Sequence, residues 1–128
     1  MSIKFKPILR GEPGVVGGGT KKKYYASANI SGETTIEDLT KDIEKISTVS
    51  GADIRAVLYA MVDVAVDKLA EGKAVRLGDL GSLRPGISST GVEEKAKVEA
   101  GVIKSARVIF TPGLKIKQML KLVKFEKL

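Results

Sequence analysis

Arg84 and Arg107, with Arg76, Lys104, Lys115, Lys117 and Lys121 around them in the sequence, are the residues of this chain whose chemistry is plainest. Guanidinium and ammonium groups hold phosphate oxygens through charge-assisted hydrogen bonds, and each phosphate they neutralise releases a condensed counterion. Lys95 and Lys97 offer the same chemistry in a polar stretch, and Lys21, Lys22 and Lys23 form a run nearer the start. The 128 residues include no histidine and no cysteine, so the commonest general base, the commonest transition-metal ligand and all thiolate chemistry are missing. The expectation is no catalytic residue, no metal, no cofactor and no small-molecule substrate. Gly14 and Gly19 have the spacing of a phosphate-binding loop, but Thr20-Lys21 reverses the Lys-Thr order that such a loop needs and no helix follows, so nucleotide binding is set aside.

The placement of charge says more than its total of +7. Residues 1–35 carry a net +4, residues 36–72 a net −4 and residues 73–128 a net +7. A field divided in this way suits one surface that meets a polyanion and another that faces solvent, the alternative being an ordinary solvated lysine surface. No stretch reaches the roughly 20 apolar residues that span a bilayer. The opening "MSIKFKPILR" alternates rather than forming an apolar block, which is not the pattern of a secretion signal. A soluble, cytoplasmic protein is expected.

The elements that must position these cations begin in the acidic middle. Thr34 precedes Glu37 by three residues, the pattern of a reciprocal capping box, and Ile36, Leu39, Ile43 and Ile46 then recur on one helical stripe. Ser50, with Asp53 in the box position, starts a second helix that runs to about Ala70 and stops at Gly72. That helix is apolar over most of its circumference, through Ile54, Val57, Leu58, Met61, Val62, Val64, Ala65 and Leu69. Two short helices and a hairpin cannot cover it, so a dimer with a shared core is expected, Val57, Leu58, Met61, Val64, Leu80, Leu83 and Phe110 among its residues; cover by the N-terminal segment is the alternative.

"VRLGDLGSLRP" starts as a strand in which Val75 and Leu77 alternate with Arg76, yet Leu80 and Leu83 have the wrong parity to continue it. Gly78 and Gly81 can take positive φ, so "GDLG" reads as a tight turn that tucks Leu80 against the helices and starts an antiparallel partner from Ser82 to about Ser89, bent at Pro85-Gly86. The polar stretch "STGVEEKAKVEAG" then closes a long projection with a mobile tip. The returning strand "VIKSARVIF" sets Ala106, Val108 and Phe110 on one face and Ser105 and Arg107 on the other. "LKIKQMLKLV" follows as a short helix with Leu114, Met119 and Leu122 opposed to Lys115, Lys117 and Lys121. Residues 1–33 read as two strands around a glycine-rich loop, available to extend the sheet, with Tyr24 and Tyr25 in the second strand.

From about Thr34 to Val123 this order resembles the bacterial HU and integration host factor family. "GDLGSL" is similar to the family's Gly-Phe-Gly-Thr-Phe turn, and "FTPGLKIKQML" to its Phe-Arg-Pro-Gly-Lys-x-Leu-Lys segment. Residues 1–33 and the tail Phe125 to Leu128 resemble a longer, histone-like branch. The resemblance implies an α+β fold with a helix pair, an antiparallel sheet with a projecting arm over about 84–106, and a short C-terminal helix, assembled as an intertwined homodimer. It also implies a nucleoid-associated protein that binds double-stranded DNA with little sequence preference, entering the minor groove and bending the duplex, with Lys117 and Arg107 at family contact positions. The divisions are then residues 1–33, a β-rich extension, and 34–128, the DNA-binding domain. Two departures bear on bending: residues 88–102 contain no proline and no arginine, and Thr111 and Leu114 stand where relatives carry cations. An HU-fold scaffold protein with weak or no DNA bending is therefore the second expectation.

Overall fold

Ser50 stands between two helices. Its backbone is extended and its hydroxyl accepts from the Asp53 amide at 3.3 Å, satisfying a donor that the first helical turn leaves free. The computed structural model, which describes residues 1–11, 14 and 21–128, has helix α1 over Ile36–Ile46 and helix α2 over Gly51–Ala70. Gly72 ends α2 at φ +83°, a conformation without penalty for glycine, and its N–H donates to the Leu69 carbonyl at 2.9 Å.

The start of α1 differs from expectation by one residue. Ile36 is the first helical residue, so Thr35 rather than Thr34 occupies the position before it, and Glu37 is directed to a partner on α2. Arg55 Nε and Nη2 donate to the Glu37 carboxylate at 2.9 and 2.7 Å, and this hydrogen bond, with the charge behind it, raises the Arg55 pKa above its ordinary value. Thr40 lies fully buried with its hydroxyl donating to the Ile36 carbonyl at 2.7 Å, so the polar group inside is satisfied. Of the expected apolar stripe on α1, Ile36 and Ile43 are half-buried while Leu39 and Ile46 are exposed.

Strands β3 (Val75–Arg76), β4 (Gly81–Ser89) and β5 (Ile103–Pro112) form an antiparallel sheet in the order β3-β4-β5. A single helical turn, Gly78–Leu80, joins β3 to β4, with Gly78 at φ +64° and Gly81 at φ +148°. This turn is clamped from the far end of the sheet. Gly81 lies opposite Pro112, and the Gly113 N–H donates to the Leu80 carbonyl at 3.0 Å. A Cβ at Gly113 would sit 2.5 Å from the Asp79 carbonyl oxygen and 2.7 Å from the Gly81 nitrogen, both backbone atoms that cannot swing aside. The two most distinctive local motifs of the sequence are thus one structural joint. Gly113→Ala is expected to lower unfolding free energy by about 2 kcal/mol through this overpacking, read as a reduced urea midpoint at unchanged slope.

Pro85 is tolerated because of where β3 ends. The Leu77 N–H donates to the Gly81 carbonyl at 2.8 Å, so odd-numbered residues of β4 direct their backbone groups toward β3, whose last pairing is Val75 with Leu83. The nitrogen without a proton therefore lies on an open edge. Beyond Ser89 the ladder stops, and the β4–β5 hairpin is closed by two short helical turns, Lys95–Lys97 and Ala100–Val102, with the Thr90 N–H donating to the Val102 carbonyl at 2.8 Å.

Helix α3 spans Leu114–Leu122. Its expected apolar side is not covered: Leu114, Met119 and Leu122 are exposed, and Ile116 is the half-buried residue. Among the described residues no helix is long and apolar enough to cross a membrane.

Contacts divide the chain into two units, residues 36–119 and residues 1–35 with 120–128. The second is a separate sheet in the order β2-β1-β6, made of β1 (Ser2–Gly11), β2 (Lys22–Ala28) and β6 (Lys124–Lys127), rather than an extension of the first. The chain thus opens on strands, and the helix pair follows them. β1 pairs antiparallel with β2 and parallel with β6. Pro7 repeats the device of Pro85: the Asn29 N–H donates to the Lys4 carbonyl, which turns the backbone groups of odd residues of β1 toward β6, and β6 ends opposite Phe5. One face of this sheet is apolar, with Ile3, Phe5, Ala26, Ala28 and Phe125 around a hollow of about 340 Å³. Gly19 and Thr20 of the phosphate-loop comparison lie outside the described residues.

Candidate nucleic-acid interface

Register decides which cations act together. Arg76 pairs with Ser82, Ser82 with Thr111, Arg84 with Ile109, Gly86 with Arg107 and Ser88 with Ser105. Directly paired residues share a face and successive ones alternate, so Arg76, Arg84 and Arg107 stand on one face with Ser82, Ser88, Ser105 and Thr111, and with the half-buried Ile109 opposite Arg84. The other face carries Val75, Leu83, Pro85, Ile87, Ala106, Val108 and Phe110. The split expected for Ala106, Val108 and Phe110 against Ser105 and Arg107 is observed.

The polar face is held in shape by small residues. Arg107 Nη1 donates to Ser88 Oγ at 2.9 Å, laying the guanidinium along β4. Gly86 leaves the room: a Cβ there would come within 3.4 Å of Arg107 Cζ and 2.9 Å of Ile109 Cδ1. At the other end of the face, Arg76, Ser82, Thr111 and Lys117 border one depression, floored by Gly78, Gly81, Pro112 and Gly113 of the clamped turn. Lys117 reaches it because the first turn of α3 is anchored by the Lys117 N–H donating to the Gly113 carbonyl at 3.0 Å. Cations, hydroxyls and backbone thus line one surface, a set of groups able to receive successive phosphates.

A family model described as an HU domain fused to a wHTH, Ig or glycine-rich motif, HU-HIG, matches residues 1–127. The chain belongs to this family. Among solved structures, the HU-HIG chain is similar to a protein of Bacteroides vulgatus ATCC 8482 described as a candidate bacterial DNA-binding protein, with a TM-score of 0.66 at 16% identity over 99% of this chain. That likeness is one of fold, and this chain spans 48% of the other. No curated protein matches the sequence. The mixed α+β architecture, with helices α1, α2 and α3 among the described residues, is HU-like, as the sequence motifs implied.

Other cations of this HU-HIG chain lie elsewhere. Lys104 is the extra residue of a bulge, since Ser88 pairs with Ser105 and Ser89 with Ile103, and its parity groups it with Ala106 rather than Arg107. Lys95 and Lys97 are at the folded tip, where Lys97 lies 3.9 Å from Glu94. Lys115 is exposed on α3, whereas Lys121 belongs to the unit of the N-terminal sheet, as do Lys21, Lys22 and Lys23. Sequence reasoning passed over Ser82, Ser88 and Thr111. Their signal was the alternation Ser82, Arg84, Gly86, Ser88, every second residue polar or small.

The residues expected in a dimer core are in large part open. Val57, Met61, Val64, Leu80 and Phe110 are between 42% and 66% exposed, while Leu58 and Leu83 are half-buried. Leu80, expected against the helices, is half exposed.

Proposed function

We propose that this HU-HIG chain is a sequence-tolerant architectural protein that binds double-stranded DNA as a homodimer in the cytoplasmic nucleoid. The observation that carries the reading is the common face of Arg76, Arg84 and Arg107, with Lys117 at its end. In this reading residues 34–128 form the DNA-binding domain of a longer, histone-like branch and residues 1–33 its extension. Lys115 and Lys121 extend the contact, and Lys104, Lys95 and Lys97 follow the β4–β5 hairpin toward the minor groove. Lys21, Lys22 and Lys23 are flank contacts. The apolar stripe of α2, with Leu80 and Phe110, is buried between protomers. Support for a nucleic-acid partner comes from the family and from the gathering of three arginines and Lys117 on one face.

A second reading keeps the fold and the dimer but not the bending. It is favoured by the tip, which has no proline to wedge between bases and in which Glu93, Glu94 and Glu99 outnumber Lys95 and Lys97. Base-step insertion needs an apolar wedge, and an acidic tip is repelled by the phosphates beside the groove. Titration of labelled straight and pre-bent duplexes over a salt series tests both. The four cations of the common face by themselves predict a log–log salt slope of about −3.6 per protomer, or about −7 for a dimer, and each further lysine engaged adds about −0.9. Binding is expected to favour the pre-bent duplex, with no change in end-to-end energy transfer on the straight one. Absence of salt-sensitive binding to either duplex would leave the scaffold reading alone standing.

A further inference from the structure

The N-terminal sheet has a second face, of which the DNA-binding reading uses Lys23 alone, as a flank contact. In β1 the residues Lys4, Lys6, Ile8 and Arg10 alternate onto the side opposite Ile3 and Phe5. Their register partners bring more charge to the same side. Lys23 lies opposite Arg10, Tyr25 opposite Ile8 and Ser27 opposite Lys6, while Lys124 lies opposite Ser2 and Glu126 opposite Lys4. The Ser2 hydroxyl donates to Glu126 at 3.2 Å, as two residues on one face should.

This face therefore carries Lys4, Lys6, Arg10, Lys23 and Lys124 against the single carboxylate of Glu126. All five cations are exposed, and no ion pair among the described residues involves any of them. The Arg10 guanidinium lies 4.9 Å from the centre of the Tyr25 ring, which fixes its direction while leaving its hydrogen-bond donors free at the edge. At about 3.4 Å per residue, Lys4 to Arg10 extends about 20 Å. That is the rise of about six phosphates along one strand of a duplex. A sheet whose unneutralised cations run along a strand at this spacing, around an aromatic and an aliphatic side chain, has the groups that track a sugar-phosphate backbone.

We propose that this face is a second nucleic-acid site, which binds phosphodiester backbone independently of the Arg76, Arg84 and Arg107 face. A lipid surface is the poorer match, because membrane-binding faces join exposed apolar side chains to cations, and here the two that accompany the cations, Ile8 and Tyr25, are half-buried while Ile3, Phe5 and Phe125 are on the other side of the sheet. Phosphodiester chemistry is shared by duplex and single strand, so both are tested. The test uses the full chain with Lys4→Gln, Lys6→Gln and Arg10→Gln combined, alone and together with Arg76→Gln, Arg84→Gln and Arg107→Gln.

The readout is the dependence of binding on salt for a mixed-sequence duplex and for a single strand of the same sequence. The sheet variant is expected to lower the magnitude of the slope by about 2.7 on duplex or about 2.1 on single strand, and to do so also when the arginines are already replaced. Lys127→Gln, on the apolar face of the same sheet, combined with Lys41→Gln on α1, should leave it unchanged. An unchanged far-UV spectrum shows that the sheet survives, and the single variants Lys4→Gln and Lys6→Gln give about one third of the effect each. The proposal is overturned if the slope does not move on either nucleic acid. It is overturned equally if the control pair moves it as much, or if the variant loses binding only to vesicles containing phosphatidylserine. Loss of binding in the arginine variant alone bears on the proposed function and not on this site.

Discussion

Arg76→Gln, Arg84→Gln and Arg107→Gln in combination are expected to weaken binding to a mixed-sequence duplex by two to three orders of magnitude for each protomer engaged, and so by about five for the dimer. Three phosphate contacts contribute about 0.9 each to the salt slope, so at about 0.1 M salt the loss of their counterion release alone is about 2.7 decades per protomer engaged. Glutamine keeps polar side chains of similar reach, which confines the change to charge. Exposed strand residues on a solvated face contribute little to stability, so the variant should fold as the parent does. The measurement is fluorescence anisotropy over a salt series, with Lys41→Gln and Lys45→Gln on α1 as a control that should leave the slope unchanged. A triple variant that retains the parental slope would exclude this face as the phosphate site. Arg107→Gln alone should account for more than its share, because Arg107 is held in place by Ser88 and by the gap at Gly86, and an oriented guanidinium gives up less entropy on contact.

Features written in local chemistry were legible in the sequence. Ser50 with Asp53, Gly72 with its positive φ, and the turn at Gly78 and Gly81 each depend on a few neighbouring residues, and each is found where the pattern put it. The arginine face was legible for a related reason, since alternation fixes the side of each residue once a strand is granted. The same alternation sets Lys104 with Ala106 rather than Arg107, and what the sequence "VIKSAR" does not mark is the bulge that leaves Lys104 without a register partner. The start of α1 slipped by one residue because Thr34 and Thr35 are both capable caps, and the pairing of Glu37 with Arg55 depends on a helix 18 residues away.

Pairings between distant segments were the part the sequence withheld. β6 is four residues long and its register with β1 joins Phe125 to Ile3 across nearly the whole chain. The tail was readable as a strand only once β1 was known to have a free edge. The closure of the tip by two short helical turns was hidden as well, since "EEKAKVEAG" has no apolar period to announce them.

Assembly gives the other large effect. Val57→Asp with Val64→Asp is expected to convert the protein from a dimer to separate chains in sedimentation velocity. Val57, Met61 and Val64 recur at spacings of four and three on α2 and form an open apolar stripe, while Ile54 is the only buried apolar side chain among the described residues. In the dimer reading this stripe is the contact between protomers. If each buried valine contributes about 1.5 kcal/mol, two valines on each of two protomers contribute about 6 kcal/mol. That is about four orders of magnitude in the dissociation constant. The aspartates add the cost of placing charge in an apolar contact. Separated chains should also lose cooperativity on heating, because a core this small does not sustain a fold by itself. The milder pair Val57→Ala with Val64→Ala keeps the test informative where the aspartates prevent folding: it should weaken association while leaving a melting temperature that rises with protein concentration. Parent protein that sediments as one chain at every concentration would sink the dimer, and with it the pairing of two arginine faces that the DNA-binding reading requires.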